Sequence, residues 1–136
     1  MNTIRKFLSV LILFFLSVLF CLSQDTGVSE KINNSIKTGD TKALARFFNS
    51  SIELVVLEKE DVYSKSQAEL VVSNFFKKHK PLGFSVQHNG QSKDSKYTIG
   101  TLKTNEGNFR VYYLTKQMKN GNPAIFLLRI EKKDKF

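Results

Sequence analysis

The 136-residue chain carries 21 Lys and Arg against 12 Asp and Glu, a net charge of +9, with 41% hydrophobic residues, two prolines and one cysteine. A length of this order fits one domain with a single core, and the apolar content excludes a disordered or collagen-like chain. The cysteine, Cys21, falls in an N-terminal apolar run, so disulfides, thiolate metal sites and cysteine nucleophiles are excluded from the remainder.

Met1–Lys6 contains Arg5 and Lys6 and no acid, and Phe7–Leu22 is then Leu, Phe, Val and Ile broken only by Ser9, Ser17 and Cys21. A positive start, a short apolar stretch and small residues before a polar boundary predict a secretory signal peptide over residues 1–23, with Cys21 and Ser23 placed for cleavage before Gln24. The run is shorter than the ~20 residues of a spanning helix, and the bulky Phe20 before Cys21 argues against lipoprotein acylation. The chain is therefore expected to be exported, periplasmic or extracellular, with no stable membrane insertion after cleavage. Residues 24–136 are expected to form a single domain, whose charge falls from +9 to +7 once Arg5 and Lys6 are removed.

Beyond the leader, Val28, Ile32 and Ile36 recur at four-residue steps, the narrow stripe of a short helix, which Gly39 ends. Asp40 is placed to cap a second helix in which Leu44, Phe47 and Phe48 share a face. Ile52–Leu57 (IELVVL) reads as a strand, followed by the turn Glu58–Asp61 and a short return strand at Val62 and Tyr63. Ser64-Lys65-Ser66-Gln67 fits a capping box. The helix it opens places Ala68, Val71, Val72, Phe75, Phe76 and His79 on one apolar face. Lys77, Lys78 and Lys80 complement the negative end of its dipole, and Pro81 stops it.

From Leu82 the period falls to two. Phe84, Val86 and His88 alternate with polar residues up to Asn89-Gly90, Tyr97, Ile99 and Thr101 mark the next strand, and Phe109, Val111 and Tyr113 a third that ends near Asn120-Gly121. Ala124–Ile130 (AIFLLRI) closes the set. Short connections predict an antiparallel meander covered by the long helix. Ile125 and Leu127 alternate with Phe126 and Leu128, so the last strand is expected to be buried on both faces, by helices on one side and a second subunit on the other.

The strings ALARFFN (Ala43–Asn49), VYSKSQAE (Val62–Glu69), YTIGTLKT (Tyr97–Thr104), GNFRVYYL (Gly107–Leu114) and LRIE (Leu128–Glu131) resemble a family of small secreted bacterial proteins of undefined function within the nuclear transport factor 2-like superfamily. The resemblance covers about Ser29 to Glu131. It implies an α+β roll in which three helices pack on a curved antiparallel sheet of four to six strands. That superfamily includes isomerases, dehydratases, polyketide cyclases and non-catalytic binding modules, so the fold alone selects no activity.

Enzymes resembling ketosteroid isomerase use an aspartate base together with a tyrosine and a protonated aspartate. In the meander the acids Asp94, Glu106 and Glu131 fall in turns or near the chain end. Glu53 is the acid inside a strand; sharing a face with Val55 and Leu57, it either lines the interior, paired with Arg110 or Arg129, or faces solvent. His88, on the face of Phe84 and Val86, is either a base or ligand contact or a hydrogen-bonded histidine at the core rim. His79 interacts most simply with its helix dipole. Arg110 and Arg129 lie in apolar strands and either bind a ligand anion or pair with Glu53, Glu69 or Glu131. Tyr97, Tyr112 and Tyr113 either line a pocket or pack.

Two histidines without a clustered acid assign no metal, scattered glycines build no phosphate loop, and no cofactor is expected. Gly107–Tyr113 is similar in outline to an RNA-binding strand but lacks the leading basic residue and the small residue between the aromatics, so no nucleic-acid partner is expected. The reading that follows is an exported, non-catalytic binding module, a homodimer holding a small apolar or anionic ligand or an envelope protein. The alternative is an isomerase- or hydrolase-type enzyme with a pocket around His88, Glu53 and Arg110.

Overall fold

The structure, a computed structural model, describes residues 1–21 and 24–134, with side chains described outside 13–26. The cleavage boundary expected at Ser23 lies outside the described residues. The helices are α1 (Asn2–Cys21), α2 (Gln24–Thr38), α3 (Thr41–Ala45) and α4 (Lys65–Lys78). The strands are β1 (Phe48–Val56), β2 (Lys59–Ser64), β3 (Pro81–Ser92), β4 (Ser95–Thr104), β5 (Gly107–Gln117) and β6 (Pro123–Lys132).

Met1–Lys31 and Ile32–Phe136 are two compact units. In the first, α1 leaves Ile4, Phe7, Leu8, Val10, Leu11 and Ile12 exposed. No helix among the described residues is long and apolar enough to cross a membrane.

The second unit is built on a six-stranded sheet in the order β2-β1-β6-β5-β4-β3. β3 to β6 form the expected antiparallel meander, and β1 and β2 form a hairpin. The two parts join where β1 runs parallel to β6, with Leu54 opposite Leu128 and Val56 opposite Ile130. The sheet is therefore antiparallel at every neighbouring pair except this one, a pairing across more than seventy residues of chain that no local signal announces.

One face of the sheet carries Ile52, Leu54, Leu102, Phe109, Val111, Tyr113, Leu128 and Ile130, all buried, and receives the helices. Ala68, Val72, Phe75 and Phe76 of α4 are the buried helix residues, and Phe75 meets Phe109 edge to face at 5.1 Å. From α2, Ile32 and Ile36 are buried, and Tyr113 Oη donates to Asn33 Oδ1 at 2.7 Å. The capping box is present as expected: the Gln67 N–H donates to Ser64 Oγ at 3.3 Å and the Ser64 N–H to Gln67 Oε1 at 3.2 Å.

Four expectations change. The turn expected at Glu58–Asp61 falls at Leu57-Glu58, because Lys59, Glu60 and Asp61 already pair with β1. The second helix, capped by Asp40 as expected, is a single turn that ends at Ala45. Phe47 accepts the Ile125 N–H through its carbonyl and Phe48 enters β1 opposite Ile125, so pairing with β6 overrides the helical spacing of Leu44, Phe47 and Phe48. In β3 a register shift between Val86 and His88 inserts Gln87, and His88 moves from the face of Phe84 and Val86 to the opposite one. In β6 a shift at Phe126 directs both Phe126 and Leu127 outward while Ile125 and Leu128 stay buried. Both faces of that strand therefore stay apolar, with Leu127 on the side of Phe126 rather than on that of Ile125.

Bulges and glycines together bend a sheet. A Cβ at Gly100 would run into the Phe84 ring and stand 2.8 Å from the Ser85 carbonyl oxygen, and one at Gly90 would run into the Tyr97 ring. Both glycines let an aromatic ring lie flat across the backbone of the neighbouring strand.

Candidate functional site

Register places Glu53, His88, Tyr97, Arg110, Tyr112 and Arg129 on one face, the one away from the helices of residues 32–136. Reading across β2-β1-β6-β5-β4-β3, one row is Glu60, Val55, Arg129, Tyr112, Ile99 and His88, and the row beside it is Val62, Glu53, Leu127, Leu114, Tyr97 and Gly90. Arg110 stands one row further on, opposite Glu131. Glu53, His88 and Arg110 are exposed. Between Glu53 on β1 and His88 on β3 lie four strand spacings, about 19 Å. A pocket built around Glu53, His88 and Arg110 is therefore not formed. The cause is simple: a polar residue alternating with apolar ones in a strand marks the solvent face.

That face has its own order. Arg129 stands near its centre, with its guanidinium 3.8 Å from the carboxylates of both Glu60 and Glu131. The Glu131 contact is one of the pairings expected from sequence. Half-exposed ion pairs of this length contribute no more than about 1 kcal/mol each, and Arg129 Nε is buried without a hydrogen-bond partner among the described residues. Tyr97 and Tyr112 stack at 6.0 Å, a contact that an exposed ring such as Tyr97 can give up at little cost, and Lys116 Nζ lies 5.1 Å from the Phe126 ring centre. Tyr113, by contrast, is in the core, 1% exposed.

The helix side carries a groove of about 730 Å³ that sequence reasoning missed. It lies between α4 and the β1–β2 turn, with Val56, Val71 and Phe75 as apolar floor and Tyr63, Asn74 and His79 at its sides. Lys59 from β2, Lys78 from α4 and Lys132 from β6 reach its rim, along with Glu58. The His79 ring stacks on Phe75 at 4.5 Å, and its Nδ1 lies 3.1 Å from the Phe75 carbonyl oxygen, which can only accept. Nδ1–H is therefore the donor.

Leu57, in the turn, has φ +58°, a left-handed conformation that costs a residue with a branched side chain about 1 kcal/mol or more. Its N–H donates to the Ile130 carbonyl at 2.8 Å, which ties the turn to β6 and holds the side chain at the groove wall. Each lysine read singly is a solvated surface charge. The β1–β2 turn at Leu57-Glu58, with leucine at a first position whose positive φ favours glycine, was the available signal. No three His, Cys, Asp or Glu side chains gather as a metal site among the described residues.

Residues 29–131 match the family described as domain of unknown function DUF4783. A crystal structure of a DUF4783 protein from Bacteroides uniformis is 31% identical, with 78% of this chain and 97% of that chain covered and a TM-score of 0.74. At lower identity the fold extends to an NTF2-like design (12%, 78% and 95% covered, TM-score 0.62). It extends also to a calcium/calmodulin-dependent protein kinase II association domain from Xanthomonas campestris (16%, 83% and 88% covered, TM-score 0.60). These neighbours agree with the α+β, nuclear transport factor 2-like architecture expected from sequence. No curated protein matches the chain.

Proposed function

Because the chain belongs to the DUF4783 family, we propose its role from its surfaces: an exported, non-catalytic module that pairs with a second copy through the outer face of its sheet. The observation that carries this reading is the group Ile99, Tyr112, Leu114, Phe126 and Leu127. These five side chains remain half-buried on a face that receives none of the helices of residues 32–136. Contiguous apolar surface of this kind is characteristic of protein interfaces.

A copy of the same chain suits the charge pattern. Glu53 and Glu60 lie toward the β2 edge, and Lys103, Arg110 and Lys116 lie on β4 and β5. A two-fold axis along the strands sets the acidic half of one copy over the basic half of the other, a self-complementary, closed contact. The neighbour named an association domain lends support through fold alone. The non-catalytic part of the reading rests on the separation of Glu53, His88 and Arg110.

Sedimentation equilibrium of the exported protein tests the pairing. A dimer is expected, and Leu127→Lys weakens it by ~2 kcal/mol, roughly thirtyfold in Kd, as truncation or charging of a central apolar anchor does. A wild-type protein that stays monomeric at the highest soluble concentration overturns the pairing.

Export is supported by the basic start of α1 and its exposed apolar side chains. N-terminal sequencing of the protein from its host is expected to begin at Gln24, and Arg5→Glu with Lys6→Glu to retain the precursor inside the cell. A wild-type protein beginning at Met1 in the cytoplasmic fraction contradicts export.

A further inference from the structure

We infer that the groove between α4 and the β1–β2 turn binds a long-chain carboxylate, an anionic head on an apolar tail. The inference uses the helix side of the sheet and does not depend on pairing through the outer face.

Charge supplies the first argument. Lys59, Lys78 and Lys132 come from three separate elements and all line this one groove. None of them has an ion-pair partner among the described residues. Three lysines against Glu58 leave a formal charge of +2 on these four side chains. Like charges converging beside apolar surface repel one another, and an anionic head relieves that repulsion while gaining charge-assisted hydrogen bonds.

The floor decides the rest of the ligand. Val56 and Phe75 are almost fully buried, at 8% and 4% exposed, so a free inorganic anion would meet hydrocarbon beneath the lysines. An alkyl tail matches that floor, and about 730 Å³ lies within the range of small-molecule sites. Leu57 adds the third wall. A turn position that favours glycine or asparagine is instead held left-handed by a leucine, and what the leucine supplies is apolar surface facing the groove. Lysine stems lie along apolar surface while their heads stay in water, so head and tail are recognised by the same side chains.

Dodecanoate is the probe, titrated into the exported protein and followed by amide chemical shifts. Shifts are expected at Leu57, Lys59, Val71, Asn74 and Lys132, and butyrate, with the same head and little tail, binds at least about tenfold more weakly. Lys78→Glu with Lys132→Glu weakens dodecanoate by roughly tenfold or more, while the thermal midpoint of the free protein falls by only about 5 °C or less, since both side chains are exposed and only the charge facing the C-terminal end of α4 is lost. Leu57→Gly weakens it as well while the midpoint holds or rises, because the turn strain is relieved as the wall is lost. Three results would each overturn the site: dodecylammonium shifting the same amides as strongly, the charge-reversed protein binding undiminished, or shifts confined to other surfaces.

Discussion

Gly100→Val lowers the thermal midpoint of the exported protein by roughly 15 °C, equivalent to about 3 kcal/mol in a domain of this size. Glycine in a strand interior ordinarily weakens it, so filling such a position tends to stabilise. The sign reverses here because the space is taken. A Cβ at Gly100 would meet the Phe84 ring and lie 2.8 Å from the Ser85 carbonyl oxygen. Ser85 is paired to Thr101 in the β3–β4 ladder, so its carbonyl cannot retreat without opening that ladder, and β-branching adds two further methyl groups.

Gly90 provides the contrast. There the obstruction is the Tyr97 ring, the end of a side chain that is 38% exposed and free to swing into solvent. Gly90→Ala is therefore expected to cost under about 1 kcal/mol. Thermal melts of the two variants side by side check the argument, and equal destabilisation would show that ring displacement rather than the backbone sets the penalty.

Legibility from sequence followed the length and regularity of each signal. The start of α4 was readable because Ser64 and Gln67 supply a cap and its apolar face repeats over three turns, while its end comes at Lys78, two residues before the expected Lys80. The β4–β5 hairpin was readable because strict alternation survives through Leu102 and Phe109. Phase was lost wherever a residue was inserted. One extra residue at Gln87 exchanges the faces of everything after it, which is why His88 points away from Phe84 and Val86. Another at Phe126 puts Leu127 on the face of Phe126 instead of that of Ile125.

The groove was hidden for a different reason. Lys59, Lys78 and Lys132 are each ordinary at their own positions, and only the parallel pairing of β1 with β6, together with α4 packed over β1, brings them to one rim. Contacts this remote in sequence leave no trace in local periodicity. The outer face was legible in content but not in role: Glu53, Tyr97, Arg110, Tyr112 and Arg129 were recognisable as polar or amphipathic strand residues, and the alternation that made them conspicuous also set them on the side away from the helices.

Phe109→Ala tests that division of faces most severely and is expected to cost ~3–5 kcal/mol, enough to lower the midpoint by about 20 °C. Phe109 is 1% exposed, and its ring packs edge-on against Phe75 at 5.1 Å and His79 at 4.9 Å. It is thus the sheet residue that anchors the end of α4. Neighbouring rings fixed in a helix relax poorly into the space a phenyl group leaves, so the cavity term adds to the lost transfer free energy. Tyr112, three residues along the same strand, is half-buried and on the other face. Tyr112→Ala, measured at a concentration low enough to hold the protein monomeric, is expected to cost no more than about 1 kcal/mol. The ratio between the two is the informative quantity, because both truncations remove an aromatic ring from β5 and differ chiefly in which side of the sheet loses it. Comparable losses would mean that the helices do not cover the face assigned to them here, and the groove at the end of α4 would lose its floor with it.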